Sequence, residues 1–399
     1  MNLTIVTTGR ADYGLLEPLL RELQGRSMFR VRLVATGSHL SATQGETIRF
    51  IQADGHEVTP IPMTPDQDSE AGICRAVATG LTGFSEHFRT HRPDLLLVLG
   101  DRYELWAVCM AAVFHRIPIA HLHGGETTLG AIDDVIRHSI TKMATFHFVA
   151  LPEYARTIQA MGEHPERIHV VGALGIDGIL HTAPMTRDEW LTHAGITNTT
   201  RPVALMTFHP VTLDDHADAS RQVDEVLQAL DSSELTTLIT MPNADAGGAA
   251  IFARVQRHCQ AHPDAFRLVK SLGQRGYLSG MRHATVMVGN SSSGILEAAS
   301  FRLPVVNIGD RQGGRIRPAN VIDCPCERHA IRQALTRALS PEFRAGLADL
   351  INPYGDGHAA PRIADRLATL DLSNPGALLK KGFYGPPQPV PSPPPGDAP

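Results

Sequence analysis

Residues Ala284–Asp310 read ATVMVGNSSSGILEAASFRLPVVNIGD. A β-branched run, Thr285–Val288, leads directly into Gly289-Asn290-Ser291-Ser292-Ser293-Gly294. A helical stretch follows from Ser293, and a second apolar run occupies Val305–Ile308. Two short strands separated by a helix, with no hairpin turn between them, make a βαβ unit, the element of a parallel sheet. The small residues fall immediately after the first strand. Free amides and hydroxyls at a helix start bind anions, and side chains this short let a diphosphate approach the backbone. The same serines can equally serve only as a helix cap, and on this segment alone both readings stand.

Outward from this unit the alternation recurs along the chain. In the first half the strand candidates are Leu3–Thr7, Val31–Ala35, Leu95–Leu99, Ile117–Leu122, Phe146–Ala150 and Ile168–Val171. Helical patterns lie between them at Gly14–Leu23, Ala71–Arg89, Glu104–Phe114, Asp133–Ala144 and Glu153–Met161. The segment Ala183–Thr200 is polar, and the domain linker is placed near its beginning. Beyond it come strands Val203–Thr207, Leu235–Thr240 and Phe266–Val269, with helices Ala219–Leu230 and Ala249–Ala261, and a last helix from Glu327. The expected architecture is α/β: two Rossmann-like domains, residues 1–180 and 181–372, with a cleft between them as in the glycosyltransferase-B arrangement. The terminal helix is free to cross back. Residues 373–399, ending GFYGPPQPVPSPPPGDAP, are too rich in Pro and Gly to build a core and are expected to form a disordered or polyproline tail.

Composition narrows the function. With 36 basic against 41 acidic residues the chain carries a formal charge of −5, so it has no electrostatic footprint for nucleic acid or an anionic membrane. Any phosphate site must be local. Five scattered cysteines without a CxxC pair fit a reducing compartment, and the longest apolar stretch is broken by His115 and Arg116. A cytoplasmic protein is expected. No GxGxxG signals a nicotinamide cofactor, and none is expected.

The chemistry-bearing residues cluster at strand exits, where ligands of open parallel sheets bind. Gly100-Asp101-Arg102 and Gly309-Asp310-Arg311 each follow a strand, and each arginine is placed to neutralise a phosphate in the cleft. Arg315 and Arg317 follow in the same glycine-bearing loop. His121-Leu122-His123 invites a zinc reading, but further ligands are not evident and no metal is expected. Glu126, beyond a flexible Gly124-Gly125 turn, is a candidate acid–base group. Asp133 opens a helix, as its cap or as a catalytic carboxylate, and Arg137 one turn later is expected to pair with it. Asp101, Glu126 and Asp133 would then arrive from one sheet edge, the arrangement that proton transfer at a sugar carbon needs. His39 and His209 stand at strand ends in opposite halves, Asn243 in a third strand-end loop, and Glu297 one turn into the helix after Gly294, where it could accept from ribose hydroxyls.

Ten ordered segments carry a resemblance: TGRADYG (Thr8–Gly14), GSHL, GDRYE, HGGE, DDVIRHSITK, FHPVT, PNADAG, GNSSSG, GDRQGGR and NPYGDG. From Met1 to about Leu370 the chain resembles the hydrolysing UDP-N-acetylglucosamine 2-epimerases, most of all the bacterial sialic-acid branch. The resemblance implies that UDP-GlcNAc and water give UDP and N-acetylmannosamine, by anti elimination to a 2-acetamidoglucal and syn addition of water. It places Asp101, Glu126 and Asp133 as acid–base carboxylates, with His39 and Arg137 on the sugar side. UDP would be held by Arg10, Arg102, His209, Asn243, Ser291, Ser292, Ser293, Gly294, Glu297 and Arg311. Gly14 departs from relatives that carry a serine near UDP. The nearest alternative is the same reaction on UDP-2,4-diacetamido-2,4,6-trideoxyglucose, and a UDP-sugar glycosyltransferase is a second. The expected partners are a UDP-linked N-acetylamino sugar and further copies of the chain in a dimer or tetramer.

Overall fold

The computed structural model describes residues 1–42, 45–67, 69–128, 132–197, 199–209, 216–241 and 248–385, with the backbone alone at 216–219 and 248–250. The first sheet is built from β1 (Asn2–Thr7), β2 (Arg30–Ala35), β3 (Val58–Pro60), β4 (Leu95–Leu99), β5 (Ile119–Leu122), β6 (Phe146–Val149) and β7 (Ile168–Val170). Its order is β3-β2-β1-β4-β5-β6-β7, parallel throughout. The second sheet uses β8 (Val203–Thr207), β9 (Thr236–Thr240), β10 (Phe266–Val269), β11 (Val286–Gly289), β12 (Val305–Ile308) and β13 (Val321–Cys324). Its order is β10-β9-β8-β11-β12-β13, again all parallel. Both orders reverse direction beside their first strand, and that reversal opens the crevice in which Rossmann-type sheets bind ligands.

The strands are apolar on both faces because both faces are covered. Leu3, Ile5, Leu33 and Leu97 face one helical layer, while Val6, Val34, Leu96 and Val98 face the other. In the second sheet Ala204, Met206, Val286 and Val288 point one way and Val203, Leu205, Met287 and Val305 the opposite way. A further cluster, Val149, Tyr154, Ile176, Ile295 and Tyr354, joins the halves.

Several elements escaped the sequence reading. The linker segment contains a helix, Arg187–His193, closed by a capping box between Thr186 and Glu189 and anchored by the fully buried Trp190. The helices Leu174–His181 and Gly273–His283, and the short edge strands β3 and β13, lack the apolar run that marks a central strand or a long helix. The last long helix, Ala359–Ala368, does cross back: Ala359, Ala360, Ile363, Ala364 and Leu367 belong to the core of the first sheet. Asp177 fastens its start, accepting from the amides of Ala359 at 3.0 Å and Ala360 at 2.7 Å.

The segment after Asn374 was expected to stay unpacked, and for residues 375–385 it does not. Lys381 donates to Glu163 and to the Ala144 carbonyl, both at 2.7 Å. Arg167 holds the Leu378 carbonyl at 2.9 Å, and the Tyr384 amide bonds to Gly162 at 2.8 Å. Charge and main-chain hydrogen bonds dock this stretch, together with Leu378 packed against the core of the first sheet and the Phe383 ring lying against Gly162. Residues 386–399 lie outside the described residues. No described helix is long and apolar enough to cross a membrane.

Candidate active site

The first half contributes a network centred on Arg137, whose side chain is only 2% exposed. It lies on the helix Asp133–Met143 and donates to Asp101, to the Thr128 hydroxyl at 2.9 Å, to the Glu126 carbonyl at 2.8 Å and to Asp134 at 3.2 Å. A buried guanidinium with this many acceptors fixes the loops after β4 and β5 relative to one another. Asp134, which the sequence reading did not single out, is a helical carboxylate that it holds, three residues being a spacing at which helix side chains meet. Asp134 also accepts from the Thr128 amide at 2.8 Å. Asp133 is the first helical residue and is half-buried; the cap position belongs to Ile132.

Glu126 is 2% exposed. One carboxylate oxygen lies 2.9 Å from His123 Nδ1, and the other lies 3.1 Å from Arg315, which reaches across from the second half. The Leu174 amide donates to His123 Nε2 at 3.3 Å, so the ring proton of the neutral imidazole sits on Nδ1 and is donated to Glu126. Burial works against ionisation here, yet Arg315, His123 and Arg137 hold the carboxyl at about 2. The double glycine before it serves close packing rather than flexibility. A Cβ at Gly124 would meet His121 Nδ1 at 2.9 Å, and one at Gly125 would meet the Tyr154 carbonyl at 2.5 Å.

The two histidines of the HxH motif have separate duties. His121 is fully buried between the Gly100 carbonyl at 2.8 Å and the Thr141 hydroxyl at 3.3 Å, and burial pushes its imidazole down to about 3. Among the described residues, the group of His, Cys, Asp or Glu side chains placed to share one metal ion is Asp231, His258 and His262, beside the starts of β9 and β10 and away from these residues. His39 is completely buried, with Thr7 3.0 Å from Nε2 and Thr47 2.9 Å from Nδ1, and burial lowers it to about 4. These contacts fix the ring, in its neutral form, within the GSHL turn.

In the second half Asn290 ties three loops together. Its side chain exchanges two hydrogen bonds with the His209 backbone, at 2.7 and 2.8 Å, across the switch between β8 and β11. Its carbonyl accepts from Arg311 at 3.2 Å and Gln312 at 2.9 Å. Gly289 permits this closeness: at φ +135° a Cβ there would lie 2.0 Å from the Thr207 carbonyl. Burial, reinforced by Arg311, pushes His209 down to about 3. Ser291 caps the next helix, and its hydroxyl lies 2.9 Å from that of Ser293, which in turn lies 2.7 Å from the Tyr277 hydroxyl. That helix, Ser292–Leu296, has five residues. Its dipole is therefore small, and any anion binding rests on individual amides, hydroxyls and Arg311. Gly294 is packed 3.0 Å from Val305, measured from where its Cβ would be.

Glu297 sits at the end of this short helix and points at the other half: a Cβ on Gly175 would lie 2.9 Å from its Oε1. Its Oε2 is buried without a hydrogen-bond partner among the described residues, and burial pushes the carboxyl up to about 7. Arg10 stacks on Phe50 at 4.7 Å and lies 3.9 Å from the Cβ position of Gly273 in the second half. Arg102 is held by Glu104, with both hydrogen bonds at 3.3 Å. A Cβ at Gly14 would meet nothing within 4 Å, so a serine fits there without adjustment. Asn243 lies outside the described residues. Sequence reasoning missed Asn290, Asp134 and Tyr277 as site-building residues. The first sat unremarked inside a recognised motif, and Tyr277 stands on an unassigned helix.

Comparison with known proteins shows the family and the fold. Residues 21–368 match the family model described as UDP-N-acetylglucosamine 2-epimerase. The chain is 37% identical to UDP-N,N'-diacetylbacillosamine 2-epimerase (hydrolyzing) of Legionella pneumophila, over 92% of this chain and 95% of that one. It is 36% identical to GDP/UDP-N,N'-diacetylbacillosamine 2-epimerase (hydrolyzing) of Campylobacter jejuni, over 85% and 88%. The crystal structure of UDP-GlcNAc 2-epimerase from Neisseria meningitidis bound to UDP-GlcNAc superposes with a TM-score of 0.80 at 16% identity, covering 93% of this chain and all of that one.

Proposed function

The chain belongs to the UDP-N-acetylglucosamine 2-epimerase family, and from that premise we propose that it is a hydrolysing 2-epimerase of a UDP-linked N-acetylamino sugar, with UDP bound at the β8/β11 switch and the sugar against β4 and β5. The observation that carries this reading is the buried Arg137, which gathers Asp101 and the Glu126 loop into one acid–base edge opposite the Asn290–Arg311 loop.

The C2 hydrogen of the sugar is not acidic on its own. As the C1–O bond breaks, positive charge develops at C1 and acidifies C2–H, and a carboxylate takes that proton. The C1–O electron pair leaves with UDP, whose charge Arg311 and the serine hydroxyls stabilise. The remaining C1=C2 enamide takes water oxygen at C1 and a proton at C2 from the face that gives the manno configuration. Asp101, Glu126 and Asp133 are the acid–base groups in this scheme. Glu297, with a proton affinity near neutrality and an open oxygen, suits the ribose hydroxyls.

For the substrate, the names of the Legionella and Campylobacter relatives support UDP-N,N'-diacetylbacillosamine, the 2,4-diacetamido-2,4,6-trideoxyglucose considered above. The family description supports UDP-GlcNAc as the second reading. The difference lies at C4 and C6 of the sugar and leaves the reaction unchanged. Five unpaired cysteines support a reducing, cytoplasmic setting.

The test is the reaction in D2O with each sugar nucleotide, followed by NMR. Elimination and hydration yield a free 2-epimerised sugar carrying deuterium at C2, and label from H2(18)O enters the sugar rather than UDP. Protium retained at C2 excludes elimination. Release of the unepimerised sugar marks a simple hydrolase.

A further inference from the structure

Arg315 is a largely buried cation of the candidate site that is only partly matched. Its side chain is 11% exposed and one nitrogen pairs with Glu126 at 3.1 Å. Nε and Nη1 are buried with no hydrogen-bond partner among the described residues. A buried guanidinium with two of its three nitrogens unmatched is costly in the empty protein, and it is well suited to an incoming anion. The neighbouring Gly314 presses on Thr127: a Cβ there would come within 2.6 Å of the threonine methyl. The loop that carries Arg311 in the second half thus reaches the loop that carries Glu126 in the first.

We propose, resting on the function above, that Arg315 is a positioning residue which the diphosphate of the bound nucleotide draws away from Glu126, so that the carboxylate becomes an effective proton acceptor only once the leaving group is seated. A diphosphate offers several charged oxygens where Glu126 offers one, and the two unmatched nitrogens are the donors that it engages.

The groups facing Glu126 define what happens next. His123 donates to it, Arg137 binds its carbonyl, Tyr154 and Tyr354 lie beside it, and Arg315 leads the charges that oppose burial. Loss of Arg315 leaves a buried carboxylate with one imidazole donor, and its proton affinity rises toward the range where it can take and return a proton. While Arg315 stays paired with it, the same carboxylate is too weakly basic to act.

The test uses Arg315→Gln and Arg315→Lys, each checked for folding by its melting temperature. UDP release is followed from about pH 4 to pH 9. In Arg315→Gln the acid limb of kcat/KM, which reports the free enzyme, moves to higher pH than in the wild type and steepens as Glu126 joins it. The acid limb of kcat, which reports the complex, keeps its wild-type position, and kcat falls about a hundredfold from lost alignment. Arg315→Lys reverses that shift by restoring a cation. A second measurement needs no turnover: calorimetry of UDP binding near about pH 5 in buffers of different ionisation enthalpy. The wild type takes up more protons than Arg315→Gln or Glu126→Gln. Equal proton uptake, or acid limbs that move together in both parameters, overturns the proposal. A wild-type protein that takes up the extra proton with UDP yet turns over no UDP-sugar overturns the functional reading and leaves the coupling standing.

Discussion

Glu126 and Glu163 are electrostatic twins at opposite ends of one sheet. Each is 2% exposed, each touches a histidine and a cation, and each is held at about 2 against the opposing effect of burial. Glu163 meets His147 at 3.3 Å, Lys381 at 2.7 Å and Lys142. It lies where β6 and β7 begin, under the docked C-terminal segment. Glu126 lies beyond the end of β5, and its cationic partner comes from the other half of the molecule with donors to spare. A displaced pKa therefore does not by itself separate the proposed acid–base carboxylate from one that only docks a segment. What separates them is position at the carboxyl ends of the strands and hydrogen-bonding capacity left open.

This distinction fails if the two glutamates exchange phenotypes. Glu126→Gln, like Asp101→Asn and Asp133→Asn, is expected to lower turnover by about a hundredfold or more, whereas Glu163→Gln keeps wild-type turnover. A Glu126→Gln enzyme with native activity ends the assignment. Next in size is the phosphate side. Arg311→Ala loses a charged donor and the brace on Asn290, so UDP affinity drops by about 1.5–3 kcal/mol; an unchanged Kd in a folded variant takes Arg311 out of the site.

Stability should follow the reverse order. Glu163→Gln leaves Lys142 and Lys381 facing a neutral group and costs about 2–3 kcal/mol, toward the low end for a broken buried pair because Lys142 is half-exposed. The pH sense follows from the direction of the shift. The folded-state pKa of Glu163 lies below its unfolded value, so its contribution is present above the ordinary glutamate range and is lost as pH falls toward about 2. Denaturant midpoints of wild type and Glu163→Gln therefore converge in acid; a gap that widens there contradicts the pairing. The smallest effect belongs to the C-terminal segment. Deleting 386–399 is expected to leave the melting temperature unchanged, while deletion from Lys380 costs about 1.5 kcal/mol through Lys381.

The parallel sheets were legible because their strands are uniform apolar runs: Leu95–Leu99 and Val203–Thr207 match the sequence reading to the residue. β3 and β13 were not, since edge strands need little apolar content. The Thr186–Glu189 capping box was present in the sequence, yet it was absorbed into a presumed linker. Motifs pointed to the candidate residues, and only the structure shows which of them pair. Nothing in DDVIRH shows that Asp134 meets Arg137 until the helix brings the two within 3.2 Å. The strand-end position of His39 was readable, but its burial between Thr7 and Thr47 was not, because both partners are distant in sequence or in another loop. The GNSSSG segment reads as the start of a long helix because the apolar pattern continues through Ala298, but the helix stops after five residues.

The returning helix Ala359–Ala368 also bears on how the chain is made. Ile363, Ala364 and Leu367 complete the core whose other members begin at Leu3. On a ribosome the amino-terminal half emerges first, but it waits with one face uncovered until almost the whole chain has been synthesised. The second half, whose strands and helices are contiguous from Val203 to Leu339, has no such dependence. Vectorial synthesis thus inverts the expected order: the half that emerges later finishes first, and its completion brings the last piece back to the half that has been waiting.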